Sequence, residues 1–278
     1  MTSTASDLPP ELRAVVEPAA MRLVLDRRGS TVWEVQTNKG RLAVKLGYPA
    51  GPQHGYTALA PAREATVLHG LGRTDVSYGT WDRGTWNVQP WWDGDDLWRL
   101  WEPFRATETA AEAPDYSTAA SCARALDDLH AHGWVHGDVQ PAHFVIGAQT
   151  RLIDLALARG GDVPSLYDFP FPGCLVHYEA PEIARSVLAT GTATPTPASD
   201  VYALGASLLI SATGKRVVPY ADDAEREVQR QAVVDGERRD FALPGVFGET
   251  VTAMLCHDPA QRPTVAEVCE VLEAASLA

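Results

Sequence analysis

The sequence predicts an α+β protein in two lobes, and three observations predict it. Strand-like runs crowd its first third: Met21–Arg27, Thr31–Thr37 and Arg41–Leu46, then two more between Val76 and Trp92. Helical spacing takes over later, as in Ser117–His132, where Ala120, Ala123, Leu126 and Leu129 recur on one face. Ahead of further helical patterns lies WVHGDVQPAHFVIGAQTRLIDLALA, Trp134 to Ala158, in which two loop-borne aspartates flank a short apolar hairpin. Residues 1–20 thus read as a leader with a short helix, 21–92 as a strand-rich lobe and 93–278 as a helical one.

Composition narrows the function classes. With 278 residues, 45% of them hydrophobic, the chain has material for a large buried core. A net charge of -13 excludes nucleic acid as the expected partner, because phosphate neutralisation needs clustered Lys and Arg. It also requires any nucleotide site to be locally basic. No run approaches the roughly 18 apolar residues that span a bilayer, and MTSTASDLPPELR lacks a basic-then-apolar export signal. The expectation is a cytoplasmic protein without membrane contact. Cys122, Cys174, Cys256 and Cys269 have no C-x-x-C spacing and read as reduced thiols.

Each element follows from its residues. Pro9-Pro10-Glu11 places proline in the first turn of a short helix. Arg28-Gly29-Ser30 and Asn38-Lys39-Gly40 break the first strands with turn chemistry. Gly47–Pro61, rich in Gly, Pro and Ala, reads as a loop, and Ala62–Leu68 as a helix. Asp82-Arg83-Gly84 joins the next two strands, and a helix starts near Leu97. Phe104–Tyr116 reads as a connector, and a Gly- and Pro-rich stretch from Arg159 ends in Tyr178-Glu179-Ala180-Pro181-Glu182. Ser199–Ala206 is helical, and Thr264-Val265-Ala266-Glu267 is a capping box that opens the last helix. Six of the eight tryptophans (Trp81, Trp86, Trp91, Trp92, Trp98, Trp101) cluster together. They read either as packing for a thin lobe or as a docking surface for a peptide or partner.

The chemistry concentrates in His136-Gly137-Asp138, His143 and Asp154-Leu155-Ala156. Two carboxylates on neighbouring loops can divide two jobs, one orienting a hydroxyl and the other holding a divalent metal on a triphosphate. With Ala43-Val44-Lys45-Leu46, Glu64, Ala180-Pro181-Glu182 and Arg262, these motifs stand in the order in which they occur in the protein-kinase-like superfamily. The chain resembles that superfamily from about Met21 to Ala278. The resemblance implies a bilobal fold: a small antiparallel β-sheet lobe with one key helix, then a mostly helical lobe.

What the resemblance implies can be stated residue by residue. Asp138 would be the catalytic base or orienter, Lys45 the phosphate clamp held by Glu64, and Asp154 the Mg²⁺ ligand. Trp92 would offer a backbone N–H to the adenine of ATP beside Gln89, and Asp96 would reach the ribose. His136 would tie the catalytic loop to the Asp154 segment, Asp200 would cap that loop's backbone, and Glu182 would pair with Arg262. Gly29-Ser30-Thr31 is similar to the phosphate loop of aminoglycoside and choline phosphotransferases, where hydroxyls and N–H groups meet phosphates. A plain polar hairpin turn fits those residues equally well.

The chain also departs from the pattern. His143 replaces a metal-ligating asparagine, so either one metal suffices, or a softer ion such as Mn²⁺ is tolerated, or His143 only braces the loop. Gly137 replaces an arginine, so phosphorylation of Ser165 or Tyr167 is expected to leave activity unchanged. Cys174 and Leu175 stand near the place of an acceptor-facing threonine.

Three functions follow. The first is an ATP/Mg²⁺-dependent phosphotransferase acting on Ser/Thr hydroxyls of a peptide or protein. Here the chain resembles stand-alone kinase-like proteins of class V lanthipeptide and thioamitide biosynthesis, in which a partner lyase eliminates the phosphate. The second is a pseudokinase that binds a peptide or partner enzyme. The third is a small-molecule kinase of the aminoglycoside type.

Overall fold

The computed structural model describes residues 8–106, 114–241 and 243–277. The polar leader and the middle of the expected Phe104–Tyr116 connector lie outside the described residues. The chain divides into two compact units. One runs up to Trp92 and also takes in Gly161–Phe169; the other comprises Asp93–Gly160 and Pro170–Ala278.

In the first unit, α1 (Pro10–Val16) precedes β1 (Ala20–Arg27), β2 (Ser30–Thr37) and β3 (Gly40–Gly47). Then come α2 (Ala60–Gly70), β4 (Ser77–Trp81) and β5 (Gly84–Pro90). The strands form one antiparallel sheet in the order β1-β2-β3-β5-β4. The β1–β2 turn has only Arg28 and Gly29 between paired Arg27 and Ser30, with φ of 49° and 80°. Two left-handed residues make the turn whose twist suits a hairpin. Gly29 is required twice over, because a Cβ there would lie 2.2 Å from the Tyr48 carbonyl oxygen.

Alternation along the strands gives the sheet two buried faces. Trp33, Val35, Val44, Leu46 and Val88 pack on one face against Leu8, Leu12 and Val16. A seven-residue helix is too short to persist alone, and burial of Leu12 and Val16, roughly 1.5–3 kcal/mol each, holds it in place. The residues between, Lys45 and Asn87 among them, point to the side where α2 packs on β3 and β5. The expected Gly47–Pro61 loop contains a 3₁₀ turn over Pro52–Ala58, so it is more ordered than its Gly and Pro content suggests.

The second unit opens with β6 (Asp95–Asp96), α3 (Leu97–Leu100), α4 (Glu102–Ala106) and α5 (Tyr116–Ala131). Phe104, expected in a connector, sits in α4, where its ring packs edge-on to Trp101. β7 (Phe144–Ile146) and β8 (Thr150–Leu152) form the short hairpin of the aspartate stretch, and β6 adds to its edge. Then follow α6 (Pro181–Thr190), α7 (Pro197–Thr213), α8 (Arg226–Asp235), α9 (Gly245–Met254) and α10 (Val265–Ser276). α7 is buried nearly all round, as a helix through the centre of a core must be. Its start carries a capping box from Thr196 and Ser199, and α10 carries the expected box from Thr264 and Glu267.

The tryptophans divide between packing and exposure. Trp101 is 1% exposed, and Trp81 and Trp86 close the edge of the first unit's core, whereas Trp98 is 40% exposed under the Arg105 guanidinium. Packing accounts for the first three. Among the described residues, no helix is long and apolar enough to cross a membrane.

Candidate active site

Lys45 lies on β3 directly opposite Asn87 of β5. Its Nζ is 2.8 Å from Glu64 Oε1, and the Asn87 amide donates to Glu64 Oε2 at 3.0 Å and to the Pro61 carbonyl at 2.8 Å. Glu64 is 2% exposed and Lys45 13%, so this pair sits largely out of water. Thr85, one pleat away, donates to the Ala58 carbonyl and accepts from the Ala62 N–H, fixing the start of α2. Asn87 is the partner that sequence reasoning missed. Its signal was the period-two row Thr85, Asn87, Gln89, three polar residues on one buried face of a strand.

The β2–β3 register sorts the phosphate-loop candidates. Val32 pairs with Lys45, so Thr31, paired with Leu46, points to the opposite face. Thr31 is fully buried there, and its hydroxyl donates to Asp26 Oδ1 at 3.3 Å. This corrects the expectation that the Thr31 hydroxyl meets a phosphate: a one-residue step along a strand reverses the face. Ser30 is on the Lys45 side of the pleat, and Gly29 closes the turn beside it. Trp92 ends the first unit, with the Arg73 guanidinium 5.2 Å from its ring centre.

In the second unit Asp200 holds the stretch around His136 and Gly137. Its two oxygens accept from the backbone N–H groups of His136 (2.6 Å) and Gly137 (2.9 Å). Gly137 has φ +78°, and a Cβ there would come 2.9 Å from the Phe171 ring, so no arginine fits at that position. His136 is fully buried between two hydrogen bonds: Nδ1 accepts from the Asp138 N–H, and Nε2 donates to the Ile153 carbonyl. Burial holds its pKa below the usual value, so it ties loop to loop as a neutral ring.

Asp138 is 17% exposed. Its Oδ2 accepts from Gln140 at 3.1 Å, while Oδ1 is buried without a hydrogen bond. Burial, with the neighbouring Asp154 carboxylate adding to it, pushes this carboxyl up to about 7. Asp154 adopts φ 65°, ψ 58°, a left-handed backbone that aspartate tolerates better than most residues. Leu155 next to it is buried, as its place in the motif implies.

His143 stands between the two aspartates. Its Nδ1 lies 2.8 Å from the Asp138 carbonyl oxygen and must donate, since a carbonyl only accepts. A neutral ring then turns the Nε2 lone pair toward Asp154 Oδ2, 3.4 Å away. The two atoms could both reach one divalent cation. The donors are mixed, an oxygen that suits Mg²⁺ and an imidazole nitrogen that suits Mn²⁺ better. Asp96, expected at a ribose, uses Oδ1 to cap α3 by accepting the Arg99 N–H.

Farther along, Glu182 and Arg262 pair through two hydrogen bonds of 2.7 and 2.8 Å, and the Arg262 side chain is wholly buried. A second buried pair went unread in the sequence: Glu179 meets Arg230 of α8 at 2.7 Å and also accepts the Cys174 N–H.

Comparison with known proteins agrees with this geometry. Similar chains include a protein of Thermomonospora curvata named "Probable serine/threonine-protein kinase PkwA", 32% identical over 152 residues, 54% of this chain and 19% of that one. Serine/threonine-protein kinase PknA of Mycobacterium tuberculosis is 35% identical over 142 residues, 50% of this chain and 31% of its own. Serine/threonine-protein kinase PknK of the same organism is 29% identical over 166 residues, 56% of this chain and 14% of its own. The matched part therefore spans less than a third of each of these relatives. Residues 85–272, more than half of the chain, match the protein kinase domain, and the chain belongs to that family.

Proposed function

We propose that this chain transfers the γ-phosphoryl group of ATP to a Ser or Thr hydroxyl of a peptide or protein, with a divalent metal. The observation that carries the reading is Asp138: a carboxylate on a loop pinned by Asp200, one oxygen held by Gln140 and the other buried without a hydrogen bond. An acceptor hydroxyl is the group that such an oxygen lacks.

In this reading the acceptor O–H points at Asp138, which orients it and takes its proton as the new O–P bond forms. The bond from the γ-phosphorus to the bridging oxygen breaks, and ADP leaves. Lys45 holds phosphate oxygens, with Glu64 and Asn87 fixing where its ammonium stands. Gly29 and Ser30 would add backbone N–H groups, Trp92 a backbone N–H to the base, and Asp96 a carboxylate to the ribose. Asp154, with His143 beside it, would hold the metal, its oxygen suiting Mg²⁺ and the imidazole suiting Mn²⁺ better. The metal supplies charge neutralisation on the triphosphate. The finer reading, a precursor-peptide acceptor whose phosphate a partner lyase eliminates, is tested by offering such peptides.

Thr31 facing away from Lys45 favours a second reading, a pseudokinase that binds a peptide or partner enzyme. The aminoglycoside-type reading is weakened by the Glu182–Arg262 pair, which closes a segment characteristic of protein kinases. Calorimetric titration of ATP with and without Mg²⁺, repeated on Asp154→Asn, separates the first two. Metal-dependent binding that the variant loses supports the phosphotransferase, and no binding with any metal favours the pseudokinase.

A further inference from the structure

Arg63 precedes Glu64 in α2, and its side chain is 1% exposed. A buried guanidinium is strongly destabilising when no opposite charge lies close by. Here a carboxylate comes from a distant part of the chain: Asp168, itself 53% exposed, places Oδ1 3.3 Å from Arg63 Nε. The Cζ of the same guanidinium lies over the Phe169 ring, 5.3 Å from its centre, and that ring lies 5.2 Å from Tyr56. Tyr167 meets Tyr78 of β4 edge-on at 5.7 Å. Three successive residues thus fasten Gly161–Phe169 to the strand, the helix and the 3₁₀ turn that surround Glu64.

The consequence concerns Glu64. Its two oxygens are already committed to Lys45 and Asn87, so its position depends on how α2 lies on the sheet. The Thr85 hydrogen bonds fix the start of that helix, and Arg63 is the charged residue of its buried face beside Glu64. We propose that Asp168 is a positioning residue. Its carboxylate holds Arg63 and so keeps Glu64 against Lys45, an ordering that the chain carries in its own sequence and that needs no phosphorylation. The Phe169 ring adds a cation–π contact to the same guanidinium. The inference rests on the phosphotransferase reading for its effect on turnover, though not for its effect on α2.

The test is amide hydrogen exchange on the full chain, read at residues 60–70 with residues 116–131 as internal control, for wild type, Asp168→Asn, Asp168→Ala and Asp168→Glu. Loss of protection by about tenfold at 60–70 in the Asn and Ala variants, with the control unchanged and Glu retaining protection, supports the proposal. Mg²⁺·ATP affinity should fall by a similar factor in the same two variants. Unchanged exchange at 60–70 in Asp168→Asn overturns it. If wild type binds no nucleotide, the phosphotransferase reading fails by itself, and the exchange data still decide the role of Asp168. Should both charge-removing variants fold poorly, exchange of the wild type in about 1 M salt, which screens an ion pair whose carboxylate is 53% exposed, gives the second measurement. Loss of protection confined to 60–70 supports the proposal, and none overturns it.

Discussion

In the first unit Lys45, Glu64 and Asn87 use one another, and both Glu64 oxygens have a donor within 3.0 Å. In the second unit Asp138 keeps a buried oxygen without a hydrogen bond, Asp154 sits in a left-handed backbone, and His143 directs Nε2 at a carboxylate 3.4 Å away. The first arrangement is a satisfied scaffold, rigid because each polar group has its partner. The second combines a left-handed backbone at Asp154 with one unpartnered oxygen at Asp138, features that persist only where surrounding structure enforces them. In the second unit Asp200 and the His136 ring supply that enforcement. One set has every donor and acceptor matched, and the other keeps a buried carboxylate oxygen without one.

The sharpest way to break this contrast is Asp138→Asn. Turnover should fall about 10²–10⁴-fold while Mg²⁺·ATP affinity stays within about twofold, because the change affects the orienting oxygen and not the phosphate holders. Steady-state kinetics with parallel calorimetry checks it, and equal loss of both would place Asp138 in nucleotide binding.

Next in size is Glu182→Gln, which leaves the buried Arg262 guanidinium without its anion. Urea unfolding should register a loss of about 3 kcal/mol, since breaking one partner of a buried pair strands the other charge. A loss under about 1 kcal/mol would mean that the carbonyls of Cys256 and Ala198, which also accept from Arg262, suffice.

Asn87→Ala sharpens the comparison from the other side. Removing one of the two donors on Glu64 should weaken Mg²⁺·ATP binding by about tenfold and leave the affinity for metal alone unchanged. An unaltered dissociation constant would show that Lys45 and α2 fix Glu64 without it.

The smallest effect is one of pH. His177 stacks on Tyr220 and bonds its hydroxyl at 2.7 Å. Burial holds the His177 pKa below its ordinary value, with the Arg216 charge adding to it. The unfolded chain therefore binds the proton more readily, so this stability is present above about pH 6.5 and is lost as pH falls below it. Between pH 7.5 and 5.5 wild type should lose more of its urea midpoint than His177→Gln does. Identical slopes would remove His177 from the acid response.

Much of this protein was open to reading before its fold was known. Strand alternation, the Gly-bearing turns and the Thr264–Glu267 capping box are local chemistry, written in neighbouring residues. Lys45 with Glu64, and Glu182 with Arg262, were readable because motif order pairs them across the chain. Other features were decided only by tertiary structure. Arg63 meets Asp168 across 105 residues, Glu179 meets Arg230 across 51, and Asn87 reaches Glu64 from another strand. No local period announces such partners, since any buried charge takes whichever opposite charge the chain's path brings near. The face of Thr31 was likewise settled by the β2–β3 register, because a strand's own alternation says which residues share a side and not what that side will meet.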